Sequence, residues 1–165
     1  MWEQRAEYDK NDKLPYNALR EFDETWIVFD TEHAKRQGRL KDGIRMAVEH
    51  GIQIAHSSPC FEFWLSLHYE LKARPMTTSR QACALFEEVA GLKKGSYSKT
   101  TGAASNLIHR LIFLVPTAVR NAERLPQHQY LDAFPATPST SVQSLVRSMH
   151  ETLPEAMKDR FPLPQ

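Results

Sequence analysis

Apolar positions along the chain fall into short runs and helical stripes. The first run, Trp26-Ile27-Val28-Phe29, is continuous, rich in β-formers and ended by Asp30-Thr31-Glu32-His33. A run of that length and composition predicts a strand buried on both faces of a parallel sheet. Leu40, Ile44, Ala47 and Val48 then recur at helical spacing, and Gly51 supplies the left-handed residue that closes a helix. Ile52-Gln53-Ile54-Ala55 predicts a second strand. Strand, helix and strand at this spacing predict a βαβ unit with a right-handed crossover.

Ser57-Ser58-Pro59 reads as a helix start, since serine can satisfy free N–H groups and proline is tolerated in the first turn. Phe61, Trp64, Leu65 and His68 share one face of that helix, and Phe63 and Leu67 broaden it. Ala82, Leu85, Phe86 and Val89 mark a further amphipathic helix, closed by Gly91. Residues 93–99 form a basic, flexible loop. Residues 104–124 read as helical, with Pro116 expected to kink or split them. A proline-rich irregular crossing fills 125–139. Thr140 caps a last helix whose buried face carries Val142, Leu145, Val146 and Met149. The expected organisation is a polar extension over 1–21, one domain over 22–150, and a proline-rich, loosely attached tail over 151–165.

Composition narrows the class. The 165 residues are 41% hydrophobic and 25% charged, which fits a single folded domain with its own core. Cys60 and Cys83 form no C-x-x-C, so neither a disulfide framework nor a cysteine zinc site is expected. No apolar run approaches the roughly 18 residues of a bilayer span. Met-Trp-Glu-Gln-Arg is not a signal-peptide start, so a cytoplasmic location with no membrane partner is expected.

The net charge of +1 hides an asymmetry. Residues 1–33 hold four Lys/Arg against nine Asp/Glu, a net of −5. Residues 72–124 hold nine Lys/Arg against three Asp/Glu, a net of +6. One end could hold cations and the middle could face a polyanion, or the two regions could attract each other within the fold.

The chemistry starts at the end of the first strand. Asp30 and Glu32 are two apart, so on an extended backbone both carboxylates point the same way. Ligands of α/β sheets gather at the carboxyl ends of strands. Two carboxylates there can bind Mg²⁺, which completes its shell with water and phosphate oxygens and promotes phosphodiester cleavage. The alternative is that Asp30 caps a loop and Glu32 is solvated. Glu62, in the first turn of a helix, is either a further ligand or a carboxylate favoured by the helix dipole. His68 is either a base or a core histidine, and His33 either a ligand or a loop residue. Lys93, Lys94, Tyr97 and Lys99 could neutralise phosphates and stack on a base, or form a solvated loop. No P-loop, G-x-G-x-x-G or G-x-S-x-G is present.

Val28-Phe29-Asp30-Thr31-Glu32-His33, followed by Ile52-Gln53-Ile54-Ala55-His56-Ser57-Ser58-Pro59-Cys60-Phe61-Glu62-Phe63-Trp64-Leu65-Ser66-Leu67-His68-Tyr69, resembles the RloB family. Tyr97-Ser98-Lys99 and Pro138-Ser139-Thr140-Ser141-Val142-Gln143-Ser144-Leu145-Val146 continue the resemblance in order, over roughly residues 22–150. The stretch S-x-P-C-F-E-x-W-L-x-L-H is its specific part. The resemblance implies an α/β fold of Toprim-like, three-layer type, with a short parallel sheet and C-terminal helices. It also implies a setting in restriction-linked phage defence and abortive infection, and a Mg²⁺- or Mn²⁺-dependent nuclease acting on DNA or RNA. Asp30 and Glu32 would stand for the metal pair, Glu62 and His68 would support catalysis, and Tyr97 and Lys99 match a later Tyr-x-Lys. A Toprim domain normally opens with a strand, a Gly-rich turn and a glutamate. Residues 1–21 show none, so the expectation is a member lacking its first βα unit, with Glu in place of the second Asp. A non-catalytic module binding nucleic acid, or an ATPase encoded in the same locus, is the alternative. An inactive, partly unfolded remnant is a third possibility.

Overall fold

A computed structural model describes residues 24–36, 40–98, 100, 107–126 and 137–164. The architecture is α/β. Strand β1 (Trp26–Asp30) leads into α1 (Thr31–Arg36) and α2 (Leu40–Glu49), and β2 (Gln53–Ser58) follows. β1 and β2 are parallel, with Phe29 opposite His56 and Asp30 opposite Ser57. The β–α–β order expected from the spacing is therefore present. The continuous apolar run does form a strand, but not one buried on both faces. Among the described residues it is an outer strand in the sheet order β1-β2-β3, and Val28 is 57% exposed.

The second strand is longer than its apolar run. Ser57 and Ser58 extend β2 instead of opening a helix, and both are buried. Their hydroxyls stay inside because each finds a partner: Ser57 with Thr140, and Ser58 with Thr31 and Thr137. Side-chain pairing of this kind makes a polar strand end compatible with burial. The peptides before Pro59 and Pro138 are both cis.

Helix α3 (Phe61–Ser66) is buried from Glu62 through Leu65, and its burial continues through Leu67 and His68. Helix α4 (Ser79–Val89) opens with a capping box, in which Thr78 accepts from the Gln81 N–H and Gln81 reaches back to the Thr78 N–H. Residues 107–111 are helical, Ile112–Leu114 tighten into a 3₁₀ turn, and α5 (Val115–Glu123) starts with Pro116 in its first turn. The helix splits where proline removes a donor, as the sequence implies.

The proline-rich crossing ends in a strand that its composition does not announce. β3 (Ser139–Thr140) pairs antiparallel with the end of β2. Thr140 belongs to that strand, yet its hydroxyl accepts from the Val142 N–H and so still serves the start of α6 (Val142–Glu151). Met149, expected on the buried face of α6, is exposed. The segment after α6 is held rather than loose. It contains α7 (Glu155–Lys158), the Arg147 guanidinium donates to the Pro164 carbonyl at 2.8 Å, and Leu163 packs on the core.

Two hydrophobic clusters result. The smaller joins Leu40, Ile44, Ala47 and Ile54 with Ile27 and Phe29. The larger is built on Phe63, Trp64, Leu67, Leu85, Phe86 and Val119. Among the described residues, no helix is long and apolar enough to cross a membrane.

Candidate functional site

The carboxyl ends of β1 and β2 lie side by side, and the acidic residues gather there. Asp30 is the last residue of β1. Glu32, however, lies in the first turn of α1, so the two carboxylates do not share an extended backbone as the two-residue spacing had suggested. Thr31 starts a helix at once, and the pair diverges to two different helix ends. Asp30 Oδ1 accepts the N–H of Phe61 at 2.8 Å, at the start of α3. Glu32 Oε2 accepts both the N–H and the hydroxyl of Ser79, at the start of α4. The first N–H groups of a helix have no partner within it and carry positive partial charge, so a carboxylate is favoured at each position. Cys60, at the cap position of α3, supplies no side-chain bond there. Asp30 provides it from 31 residues earlier.

Glu62 is 1% exposed. Tyr97 Oη donates to its Oε1 at 3.0 Å, which joins two pieces of the sequence motif 35 residues apart. The Tyr97 ring meets Phe86 edge-on at 5.1 Å, so ring and hydroxyl are both engaged within the protein. Burial and the neighbouring Glu62 charge push the Tyr97 phenol well above its ordinary value. The Cys60 thiol beside them is pushed up to about 12, first by burial and then by Glu62. Cys60 and Cys83 are both free thiols.

His68 is 4% exposed and meets Trp64 edge-on at 5.3 Å. Its Nδ1 lies 3.2 Å from the Trp64 carbonyl, which can only accept, so Nδ1 carries the proton. Burial lowers its pKa to about 4. Thus Glu62 and Tyr97 are brought together, Asp30 and Glu32 attach to α3 and α4, and His68 sits in the core. His33 is exposed on α1. Lys93 and Lys94 are exposed on the loop after α4, while Lys99 and residues 1–21 lie outside the described residues.

Two features escaped the sequence. The first is His56 on β2, whose Nδ1 is 2.9 Å from Ser141 Oγ and whose Nε2 is 3.0 Å from Ser139 Oγ. These hydroxyls, and the separate set of Thr31, Ser58 and Thr137, make largely buried polar contacts at the strand ends. The repeated Ser and Thr of 137–141 were its only signal. The second is Glu87, 7% exposed, whose two oxygens accept the N–H groups of Gly95 and Tyr97, each at 2.8 Å. These bonds hold its pKa below the ordinary carboxylate value.

Among the described residues, no group of three or more His, Cys, Asp or Glu is arranged to hold a metal. Asp30 and Glu32 remain hard oxygen donors at the carboxyl edge of a parallel pair, the type and number of carboxylates magnesium takes alongside water and phosphate. Together the fold and site define an α/β protein with a short mixed sheet, an acidic strand end and a basic stretch after it. The RloB-like protein family model matches residues 4–149, and the chain belongs to that family. No curated protein and no solved structure matches the chain.

Proposed function

We propose that this RloB-like protein binds nucleic acid without cutting it, through cations of the segment that follows α3. One observation carries this reading. Within residues 72–124, net +6, Arg80, Lys93, Lys94, Arg110, Arg120 and Arg124 stand exposed. Lys72 and Arg74 instead pair with Glu88 and are internally neutralised. Exposed cations in excess attract a phosphate backbone by releasing its counterions. The acidic residues on which catalysis would draw are occupied as helix caps, and His68 is buried as a neutral ring. The family setting makes phage or host nucleic acid the natural ligand. The test is fluorescence anisotropy with a labelled DNA or RNA over a salt series. Binding should weaken steeply with salt and survive Asp30→Asn. A salt-independent signal, or none, removes the reading.

A second reading is a Mg²⁺- or Mn²⁺-dependent nuclease. What favours it is that Asp30 ends β1 and Glu32 opens α1, which leaves two hard oxygen donors near the carboxyl edge of the parallel pair although they bond to different helix starts. Those two residues would hold the metal, which would supply charge neutralisation at the scissile phosphate and an activated water. Asp30→Asn keeps an oxygen for the Phe61 N–H while removing the charge. Metal-dependent cleavage by the wild type, abolished in Asp30→Asn, would replace the first reading with this one.

A further inference from the structure

The loop bearing Lys93 and Lys94 reads from sequence as flexible. The structure instead gives it a built frame. Gly91, just after α4, and Gly95 have φ of +65° and +76°, a region that side-chain-bearing residues rarely adopt. The Ser96 N–H donates to the Lys93 carbonyl at 2.9 Å and closes a turn around the two lysines. Glu87, in the last turn of α4, then receives the N–H groups of Gly95 and Tyr97. Beyond the turn, Tyr97 is fixed a second time, by its hydroxyl on Glu62 and its ring on Phe86. The buried Glu87 carboxylate thus holds the turn and the residue that follows it, and the buried Glu62 carboxylate holds that following residue by its hydroxyl.

We infer that Glu87 is a positioning residue for nucleic-acid binding: it fixes the turn that presents Lys93 and Lys94 to backbone phosphates. Tyr97 is the anchor of that turn and not a base-stacking platform, because its ring already packs on Phe86. The contacts made by this loop are therefore to phosphates rather than to bases. This inference rests on the nucleic-acid reading above. It also explains a buried acid beneath a basic loop. The negative charge is matched first to backbone N–H groups and then to the nearby Lys94 charge, and both lysines remain exposed on the turn.

The proposal reverses the sign expected from charge alone. Removing a carboxylate close to two lysines should tighten polyanion binding if Glu87 acted only through its charge. If it positions the turn, removal weakens binding. Gly95→Ala gives a second, charge-neutral test. A Cβ at Gly95 would meet no atom within 4 Å, so its sole effect is to disfavour the positive φ.

The experiment is fluorescence anisotropy of the full chain with a fluorescein-labelled 20-base-pair DNA duplex over a series of NaCl concentrations, with thermal melts of each variant alongside. Glu87→Gln and Gly95→Ala are expected to weaken binding several-fold at low salt. Both should lower the slope of log K against log salt towards that of a Lys93→Gln/Lys94→Gln double variant. That double variant should reduce the slope by about 2 units, roughly 0.9 for each phosphate it no longer neutralises. Equal or tighter binding by Glu87→Gln, with wild-type slope, overturns the proposal while leaving nucleic-acid binding intact. So does an unchanged slope in the double lysine variant. If Glu87→Gln melts as a misfolded protein, Gly95→Ala decides alone. Failure of the wild type to bind overturns both this inference and the reading beneath it.

Discussion

His68 shows what burial does to an ionisable ring. It lies against Trp64 of the larger hydrophobic cluster, with one nitrogen on the Trp64 carbonyl, and its folded pKa is about 4 against an ordinary 6.5. The native state excludes a proton that the unfolded chain accepts, so this group destabilises the fold as pH falls from about 6.5 towards 4 and has no effect above that window. The shift corresponds to on the order of 3 kcal/mol at full extent. Urea unfolding between pH 7 and pH 4 should therefore show a fall in stability that His68→Gln largely removes. An identical pH slope in the variant would show that His68 is not the group responsible. The apolar spacing of Trp64, Leu65 and His68 already placed this histidine on a buried face, whereas Phe61, expected on the same face, is 39% exposed. That spacing could not say that Glu62, one residue from Phe61, would be buried too. A first-turn acid normally faces water, and Glu62 is inside because Tyr97 returns to it from far along the chain.

At the scale of elements, the helices were legible wherever local chemistry decides. Gly51 and Gly91 end α2 and α4 with positive φ, and Pro116 splits the long helical stretch. The start of α4 is equally local. Thr78 and Gln81 form a reciprocal cap, so Thr78→Ala should cost about 1 kcal/mol, read as a lower urea midpoint at unchanged slope. No change in midpoint would mean the Glu32 bonds at Ser79 carry the helix start alone. The strand ends were not legible. Ser57 and Ser58 look like a helix cap to any local rule, because Ser-Pro commonly opens a helix. They become strand because β3 and Thr31 bring hydroxyls to them. β3 itself is two residues long and gains its identity from pairing with β2, so no periodicity existed to find.

For the whole molecule, the partition of apolar side chains sets the response to truncation. Phe86 is fully buried and touches the rings of Tyr69 and Tyr97. Phe86→Ala should cost about 3–5 kcal/mol, a large part of a typical domain stability of about 5–15 kcal/mol. Phe113 is 76% exposed, and Phe113→Ala should fall within about 0.5 kcal/mol of wild type. Chemical denaturation of both variants checks the contrast, and comparable losses would refute this assignment of the core. Among the described residues the same partition leaves β1 as an outer strand. Its apolar run promised burial on both faces, but burial depends on which elements come to cover a strand, and Val28 remains open.

Sequence alone determined the α/β class, the parallel strand pair, the glycine-closed ends of α2 and α4 and the family, because each rests on spacing or residue type within a short stretch. Tertiary structure decided what the acidic and basic residues do. Carboxylates act through the groups that reach them, and here Asp30 and Glu32 meet helix ends, Glu62 meets a tyrosine and Glu87 meets a turn. Each of those partners lies eight or more residues away. Distance along the chain hides such contacts, and only the packed fold brings them within hydrogen-bond range.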